Sequence, residues 1–288
     1  MSDLRKIKEN FTSIVLCAGE GVRAKSIANN VPKSLFKIKS FHNQPILYLI
    51  IDSLVLLKLD PVVIVTGHLG DQIEEFVNST QIKNQFGDAT ILTNSSGGRY
   101  KLGPLHSFLS ITTNPQIFKE DNIFLIFPGD TFFDIRILKD VLDLLIANFS
   151  QISRNSIIFY RKIRADVLKN RFKKYYPKQE ITISYLKIEE KGFETTHKEI
   201  SQRQLKLFSN EEYINQIIPI FIFNYDNVKK IQELAKSIKL SYIREAVNLM
   251  IKKNMSFLTF AVNPNCDFYD IDTHLDLKNL NEKKKGGQ

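Results

Sequence analysis

The chain has 288 residues, of which 43% are hydrophobic and 25% charged, a composition typical of a globular protein with one large core or two small ones. It contains no run of the ~18–20 apolar residues that a membrane-spanning helix needs, so we expect no membrane partner. The first ten residues lack the apolar core of a secretion signal, and Cys17 and Cys266 show no CxxC spacing. We therefore expect a cytoplasmic protein without a disulfide framework or a zinc site.

The formal net charge of +9 suits either nucleic-acid binding or a polyanionic small substrate. Much of the excess lies in the basic stretch 161–178 and in the tail 281–288. Such runs are usually solvated faces or frayed chain ends, and we predict a flexible basic tail. Because the chain carries no nucleic-acid-binding signature, its charge favours the small polyanion, and we expect no nucleic-acid partner.

The first predicted element is a short apolar strand that ends near Leu16 and enters the turn Ala18-Gly19-Glu20-Gly21. Glycine lets a ligand approach the backbone without a Cβ in the way. Arg23 follows the turn, and Lys33 comes ten residues later in a loop that Pro32 keeps from continuing as a helix. Bare backbone beside two cations suits a polyphosphate, so this segment is a candidate phosphate-binding loop.

Strands and helices alternate through the rest of the first half. We predict strands over 36–38, 62–65, 90–92 and 123–127, helices over 46–59, after 70, over 104–113 and over 134–148, and a mobile loop over 94–103. This alternation predicts an α/β fold with a Rossmann-like, mostly parallel central sheet flanked by helices. Ligands bind such sheets beyond the carboxyl ends of the strands. The glycine turn and Asp130 both follow strand ends, so we expect both at that edge.

The second half has the same ingredients in a less regular order. We predict strands over 156–160, 181–190, 217–223 and 257–262, helices over 228–236 and 242–252, and a closing helix that Asp272 or Thr273 caps. The chain shows no internal repeat and no low-complexity linker. We therefore predict one domain over 1–280, made of the halves 11–150 and 151–280.

Three kinds of glycine loop could explain the first turn. A Walker loop, G-x-x-x-x-G-K-[ST], is absent. Gly19-x-Gly21-x-x-Ala24 fits a Rossmann fingerprint by letter, but Pro32 interrupts the helix that this motif must open, and the next strong strand does not end in the required acidic residue. The remaining pattern, A-G-x-G-x-R followed by P-K-x-L, is the signature loop of the sugar-1-phosphate nucleotidyltransferases.

The resemblance to that family extends from about residue 11 to 280. Further segments similar to family motifs, in the family's order, are 44–47, 128–130, 189–192, 219–224, 243–247 and 268–277. Each is weak alone, but the ordered set is specific, and it is similar to the glucose-1-phosphate thymidylyl- and uridylyltransferases. The resemblance implies a nucleotide-diphospho-sugar transferase-type fold, with 11–150 as the nucleotide-binding half and 151–280 as the acceptor-binding half.

The chain departs from the family's usual pattern at several positions. Val22 stands in place of a threonine, the segment 24–27 lacks the usual L-x-P-L-T run, and Asp272 replaces a glycine. The segment 94–105, where the family reads the base, is atypical. The sequence therefore leaves the base and the acceptor open.

The resemblance implies an enzyme of the EC 2.7.7 class that makes an NDP-sugar and pyrophosphate from an NTP and a sugar-1-phosphate. Arg23 and Lys33 are the implied catalytic cations, which bring the two repelling phosphates together. Asp130 and Asp270 are the implied ligands of Mg²⁺. The implied nucleotide-binding residues are Leu16, Ala18, Gly19, Gly21, Arg23, Lys33, Gly103 and Asp130, and the implied acceptor-binding residues are Glu190 and Lys191.

Other functions fit the same residues. The acceptor could be another phosphate monoester such as phosphocholine, with cytidylyl transfer. A non-catalytic nucleotide-binding relative is disfavoured, because Arg23, Lys33, Asp130 and Asp270 are all present. A glycosyltransferase would use a D-x-D motif, which Asp270-Ile271-Asp272 matches by letter at the wrong end of the chain. The oligomeric state stays open, although the family is often oligomeric and a homo-oligomer would be compatible.

Overall fold

A computed structural model describes residues 10–21, 30–152, 154–175, 181–191 and 194–282. The strands are β1 (Phe11–Leu16), β2 (Lys37–Ile38), β3 (Gln44–Pro45), β4 (Val62–Thr66), β5 (Ile91–Ser95), β6 (Ile123–Pro128), β7 (Thr131–Phe133), β8 (Ser156–Arg164), β9 (Thr182–Lys191), β10 (Glu194–Gln204), β11 (Tyr213–Asn224), β12 (Phe257–Ala261) and β13 (Phe268–Asp270). The helices are α1 (Ile46–Leu56), α2 (Gly70–Asn78), α3 (Thr80–Phe86), α4 (Pro104–Leu109), α5 (Ile135–Ala147), α6 (Phe149–Ile152), α7 (Ala165–Tyr175), α8 (Tyr225–Ser237), α9 (Ile243–Lys252) and α10 (His274–Glu282).

A single large sheet forms the centre of the fold. Within the described ranges it has nine strands in the order β10-β9-β11-β6-β1-β4-β5, with β8 on β11 and β12 on β8. β1 pairs in parallel with β4 and β6, and β4 with β5. β11 runs antiparallel to β6, β8 and β9. The α/β fold with a Rossmann-like, mostly parallel sheet flanked by helices is thus confirmed. Each of the antiparallel pairs of this sheet includes a strand from the second half of the chain.

The central strands are apolar on both faces because helices cover both sides of the sheet. In β1, Phe11 and Val15 pack into one core cluster, together with residues of α1, α2 and α5. Ile14 points the other way, into a second cluster with residues of α4, α8 and α9. This alternation follows the two-residue period of a strand and explains why the strands read as continuous apolar runs.

The segment predicted as a mobile loop over 94–103 has a different structure. Asn94 and Ser95 end β5, and a 3₁₀ helix follows over Gly97–Leu102. The buried Asn94 side chain donates to Ser110 Oγ at 2.9 Å, and Ser96 Oγ donates to the Thr66 carbonyl at 2.7 Å. These buried hydrogen bonds anchor the start of the segment. Because a strand end and a 3₁₀ helix occupy it, the loop prediction from its Ser, Gly and Asn content was wrong.

Four strands were not predicted: β3, β7, β10 and β13. β10 has the polar sequence ETTHKEISQRQ and lies at the edge of the sheet, where strands commonly carry polar and charged residues. β13 has three residues, which pair with β7. In the described part of the chain, no helix is both long and apolar enough to cross a membrane.

Candidate functional site

A cavity of about 890 Å³ opens at the carboxyl edge of the parallel strands. β1 and β6 lie side by side, with Leu16 opposite Pro128, so the glycine turn and Asp130 leave the sheet at neighbouring points. The predicted residues that line the cavity are Leu16, Ala18, Gly19, Gly21, Lys33, Asp130 and Asp270. Strand pairing therefore brings together residues that are up to 254 positions apart in the sequence.

Lys33 is held at the centre of this cluster. It opens the 3₁₀ helix Lys33–Leu35, and its side chain is only 13% exposed. Its Nζ lies 2.6 Å from Asp272 Oδ1 and 3.5 Å from Asp130 Oδ2. Gly21 adopts a φ of +59°, and a Cβ there would lie 3.0 Å from Lys33 Cγ. Gly21 is therefore required both by the backbone and by the packing of the lysine.

The small ribbon of β7 and β13 brings Asp270 beside Asp130. Asp270 pairs with Thr131, whose Oγ1 donates to Asp270 Oδ1 at 2.6 Å. The Ile271 amide donates to the Asp130 carbonyl at 2.9 Å. Asp130, in the turn just before β7, and Asp270, at the end of β13, are thus brought next to each other, as the predicted metal role requires.

The carboxylates of the cluster carry more negative charge than Lys33 balances. Burial raises the pKa of Asp130; the Lys33 ammonium opposes this rise, and the charge of Asp272 adds to it. Loss of hydration against the surrounding protein raises the pKa of Asp270 to about 6, although the Thr131 hydrogen bond opposes the rise. Asp130 and Asp272 add to the effect by repulsion. The cluster is therefore suited to an additional cation.

A metal ion would need ligands beyond the protein. Among the residues described, no group of three or more His, Cys, Asp and Glu side chains is arranged to hold one. Mg²⁺ is commonly bound by one or two carboxylates together with substrate phosphates and water. Asp130 and Asp270 fit that requirement, because both line the same cavity and their charges repel each other, a repulsion that a cation between them would relieve.

The Asp270 carboxyl predicts a pH-dependent stability. Its folded pKa of about 6 exceeds the ordinary 3.8, so ionisation in the folded protein is disfavoured and stability is lost as pH rises through about 6. Asp270→Asn removes the charge but can still accept the Thr131 hydrogen bond. In metal-free buffer, we expect Asp270→Asn to raise Tm by about 2–4 °C at pH 8, and to leave it unchanged at pH 4. Thermal melts at both pH values check this, and an equal shift at both would contradict it.

Gly129 fixes the approach of β6 to β1 behind this cluster. Its amide donates to the Leu16 carbonyl at 2.9 Å. A Cβ at Gly129 would overlap Cys17 Sγ and lie 2.7 Å from the Leu16 carbonyl oxygen. We expect Gly129→Ala to lower the free energy of unfolding by about 2–3 kcal/mol, as overpacking does. Urea denaturation measures this, with Gly98→Ala as the control because a Cβ there meets nothing within 4 Å.

Some predicted residues are not placed in the cavity wall. Arg23 lies outside the described residues. Gly103 has a φ of +113° and packs against Ser241, whose carbonyl oxygen would lie 2.5 Å from a Cβ at that position. Its neighbour Pro104 lines the cavity. The nucleotide-binding roles of Arg23 and Gly103 stay predictions.

Glu190 and Lys191 lie at the far end of β9. The cavity-lining residues of this strand are at its start, at Thr182 to Ser184, whereas Lys191 pairs with Glu194 beside the hairpin to β10. Six residues of strand, about 20 Å, separate Ser184 from Glu190. The side chains of both predicted residues lie outside the described part, so their acceptor-binding role stays a prediction that the backbone placement does not support.

Asp272 is a site residue that the sequence offered, together with Thr273, as the cap of the closing helix. Of the two candidates Thr273 is the cap, because its Oγ1 accepts from the Asp276 amide at 3.3 Å. Asp276 Oδ2 in turn accepts from the Asp272 amide at 2.8 Å, and the Asp272 carboxylate pairs with Lys33. The D-x-D spacing of Asp270 and Asp272 was the feature of the sequence that could have revealed that Asp272 belongs to the site.

Arg161 corrects the interpretation of the basic stretch 161–178 as a solvated face. It ends up 3% exposed on the cavity wall, where it donates from Nε to Gln216 Oε1 at 2.8 Å. Its Nη1 lies 3.3 Å from Asp267 Oδ1, which also accepts from Arg171 Nη1 at 2.7 Å. A run of Lys and Arg residues in the sequence does not reveal which of their side chains is buried in the fold.

The architecture, with its cavity at the carboxyl edge, is that of the nucleotide-diphospho-sugar transferase-type fold. No family model and no curated protein matches the chain in sequence. Solved structures do match, each over 96% of this chain. They are a UTP-bound UGPase from Acinetobacter baumannii (TM-score 0.67, 11% identity, 93% of that chain), an inositol-1-phosphate CTP transferase from T. maritima (0.61, 19%, 97%) and a CTP:phosphocholine cytidylyltransferase from Streptococcus pneumoniae (0.58, 15%, 99%).

These similarities confirm the predicted resemblance at the level of the fold. The chain is folded like nucleotidyltransferases along nearly its whole described length. The structures it resembles differ in their nucleotide and in their acceptor, so the fold does not define either.

Proposed function

We propose that the protein is a nucleotidyltransferase that forms an NDP-sugar and pyrophosphate from an NTP and a sugar-1-phosphate. The observation that carries this proposal is the cluster of Lys33, Asp130 and Asp270 beside the glycine turn, on one wall of a single cavity. We place the reaction in the cytoplasm, in one domain over 1–280.

The first step is the binding of the NTP over the turn that contains Gly19 and Gly21. Nothing lies within 4 Å of a Cβ built at Gly19, so the backbone there is open to the cavity and can approach phosphate oxygens closely. Lys33 then exchanges its carboxylate partners for the phosphates, as a flexible point charge can. Arg23 would add a second cation from the same loop.

The chemical step is an in-line displacement. A phosphate oxygen of the acceptor forms a bond to the α-phosphorus, the bond from that phosphorus to the bridging oxygen breaks, and pyrophosphate leaves. The residues contribute mainly orientation and neutralisation of charge. Asp130 and Asp270 would hold Mg²⁺, which supplies positive charge to the reacting phosphates when bound.

A second acceptor class deserves the same test. The atypical segment 94–103 and the likeness to a CTP:phosphocholine cytidylyltransferase support nucleotidyl transfer to another small phosphate monoester. The decisive experiment is a matrix of the four NTPs against phosphorylated sugars and phosphocholine, read by pyrophosphate release with and without Mg²⁺. We expect Mg²⁺-dependent release with one NTP and a sugar-1-phosphate.

Two outcomes of that matrix would overturn the proposal. Nucleotide binding without turnover over the whole panel would indicate a non-catalytic relative. Consumption of an NDP-sugar without its formation would indicate a glycosyltransferase.

A further inference from the structure

Two arginines and one aspartate line the part of the cavity that the second half of the chain contributes. Arg161 belongs to β8 and Arg171 to α7, and both donate to Asp267 Oδ1. Tyr269 Oη donates to the other oxygen of the same carboxylate at 2.8 Å. Two guanidinium groups thus share a single carboxylate at the cavity wall.

Because one carboxylate balances only one of the two guanidinium charges, a net positive charge remains at this part of the cavity wall. Arg161 is 3% exposed, and its charge is repelled by Arg171 as well as attracted by Asp267. A buried charge is stabilised only when it is paired and hydrogen-bonded. Arg171 is 28% exposed, so its guanidinium can still receive an oxyanion from the cavity, and the bidentate geometry of arginine suits a carboxylate or a phosphate.

The same place is unfavourable for a cationic ligand. Aromatic faces are what binds a quaternary ammonium group, and Phe268 borders the cavity. However, the Arg161 Cζ already lies 5.1 Å from the centre of the Phe268 ring. At this ring a choline group would therefore compete with Arg161, and it would be repelled by the charges of both arginines.

We infer that Arg171, held in place by Asp267 and Arg161, binds a second anionic group of the acceptor, distinct from the phosphate that reacts. This inference rests on the nucleotidyl transfer proposed above. It assigns the acceptor to the class of phosphorylated sugars that carry a further carboxylate or phosphate.

The spacing along the chain supports this assignment. Asp267 precedes the proposed metal ligand Asp270 by three residues of extended chain, a separation of about 10 Å. A sugar that holds its reacting phosphate near Asp270 can extend its other end toward Arg171. Gln216, which accepts from Arg161, and Thr182 offer further polar groups on the same wall.

The test compares four acceptors: glucose-1-phosphate, glucuronic acid 1-phosphate, glucose 1,6-bisphosphate and phosphocholine. Calorimetry measures the affinity of each for the wild type, for Arg171→Gln and for the control Arg164→Gln. Arg164 also lies on β8 but pairs with Asp166 at the surface. A parallel pyrophosphate assay with the NTP found active in the matrix gives kcat/KM for each acceptor.

We expect at least one of the two acceptors with a second anionic group to bind about 10- to 100-fold more tightly than glucose-1-phosphate, and phosphocholine to bind most weakly. The uronic acid and the bisphosphate separate a carboxylate from a phosphate as the second group. Arg171→Gln should remove this preference and leave glucose-1-phosphate within about threefold, whereas Arg164→Gln should change nothing.

Two results would overturn the inference. One is that the wild type binds both acceptors with a second anionic group no more tightly than glucose-1-phosphate. The other is an equal loss for all acceptors in Arg171→Gln, which would mean that Arg171 serves the reacting phosphate or the fold. If the preference holds in calorimetry but no pyrophosphate is released, the anion site stands and the proposed reaction fails.

Discussion

Lys33→Ala is expected to lower kcat for nucleotidyl transfer by about 100- to 1000-fold, equivalent to ~3–4 kcal/mol of lost transition-state stabilisation. Lys33 is the cation that the structure places between the glycine turn and the carboxylates. Without the Lys33 ammonium, a fixed hydrogen-bond donor no longer stabilises the negative charge that develops on the α-phosphate and on the leaving pyrophosphate. KM for the acceptor should change far less than kcat.

The matched control is Lys37→Ala, which removes an exposed lysine four residues away in β2. Steady-state pyrophosphate release measures both variants, and circular dichroism shows that they are folded. If Lys33→Ala retains more than half of the wild-type kcat, the site assignment is wrong. A loss of similar size in Lys37→Ala would mean that overall charge, and not position, determines the rate.

Asp130→Asn is expected to lower kcat/KM by at least about 100-fold. A metal-binding carboxylate holds in place the ion whose positive charge stabilises the transition state by several kcal/mol. The fold should survive, since the amide has nearly the same volume and Lys33 keeps its 2.6 Å contact with Asp272. The activity lost should not be restored by raising the NTP concentration alone.

A binding measurement separates a metal role from a structural one. Mn²⁺ binding, followed by electron paramagnetic resonance in the presence of the NTP, should weaken at least about tenfold in Asp130→Asn. Asp143→Asn, which neutralises an exposed carboxylate on α5, should leave both rate and metal binding intact. Unchanged Mn²⁺ affinity in Asp130→Asn would remove Asp130 from the metal site.

The local and parallel parts of the fold could be predicted from the sequence. Apolar runs such as 62–65 and 123–127 are long enough to identify buried strands, and parallel pairing makes their carboxyl ends converge. That convergence predicts that the glycine turn and Asp130 share one edge. Both lie in the wall of the cavity.

The contacts of the second half could not be predicted in the same way. The pairing of β13 with β7 joins segments more than 130 residues apart through three residue pairs, and no local pattern specifies such a partner. The inward turn of Arg161 depends on Gln216 and Asp267, which come from other strands and loops. Asp272 was one of two candidate caps because Asp commonly caps helices, but its side chain pairs with Lys33, 239 residues away.

The strand β11 has a consequence for how the cavity can close around its contents. Its twelve residues pair with β6 at one end and with β8 along most of their length, across an irregularity between Ile218 and Phe221. The two halves of the chain therefore share one ladder of hydrogen bonds. A hinge between them would have to break that ladder, so we expect closure to come from loops and side chains at the cavity mouth, while the walls move as one body.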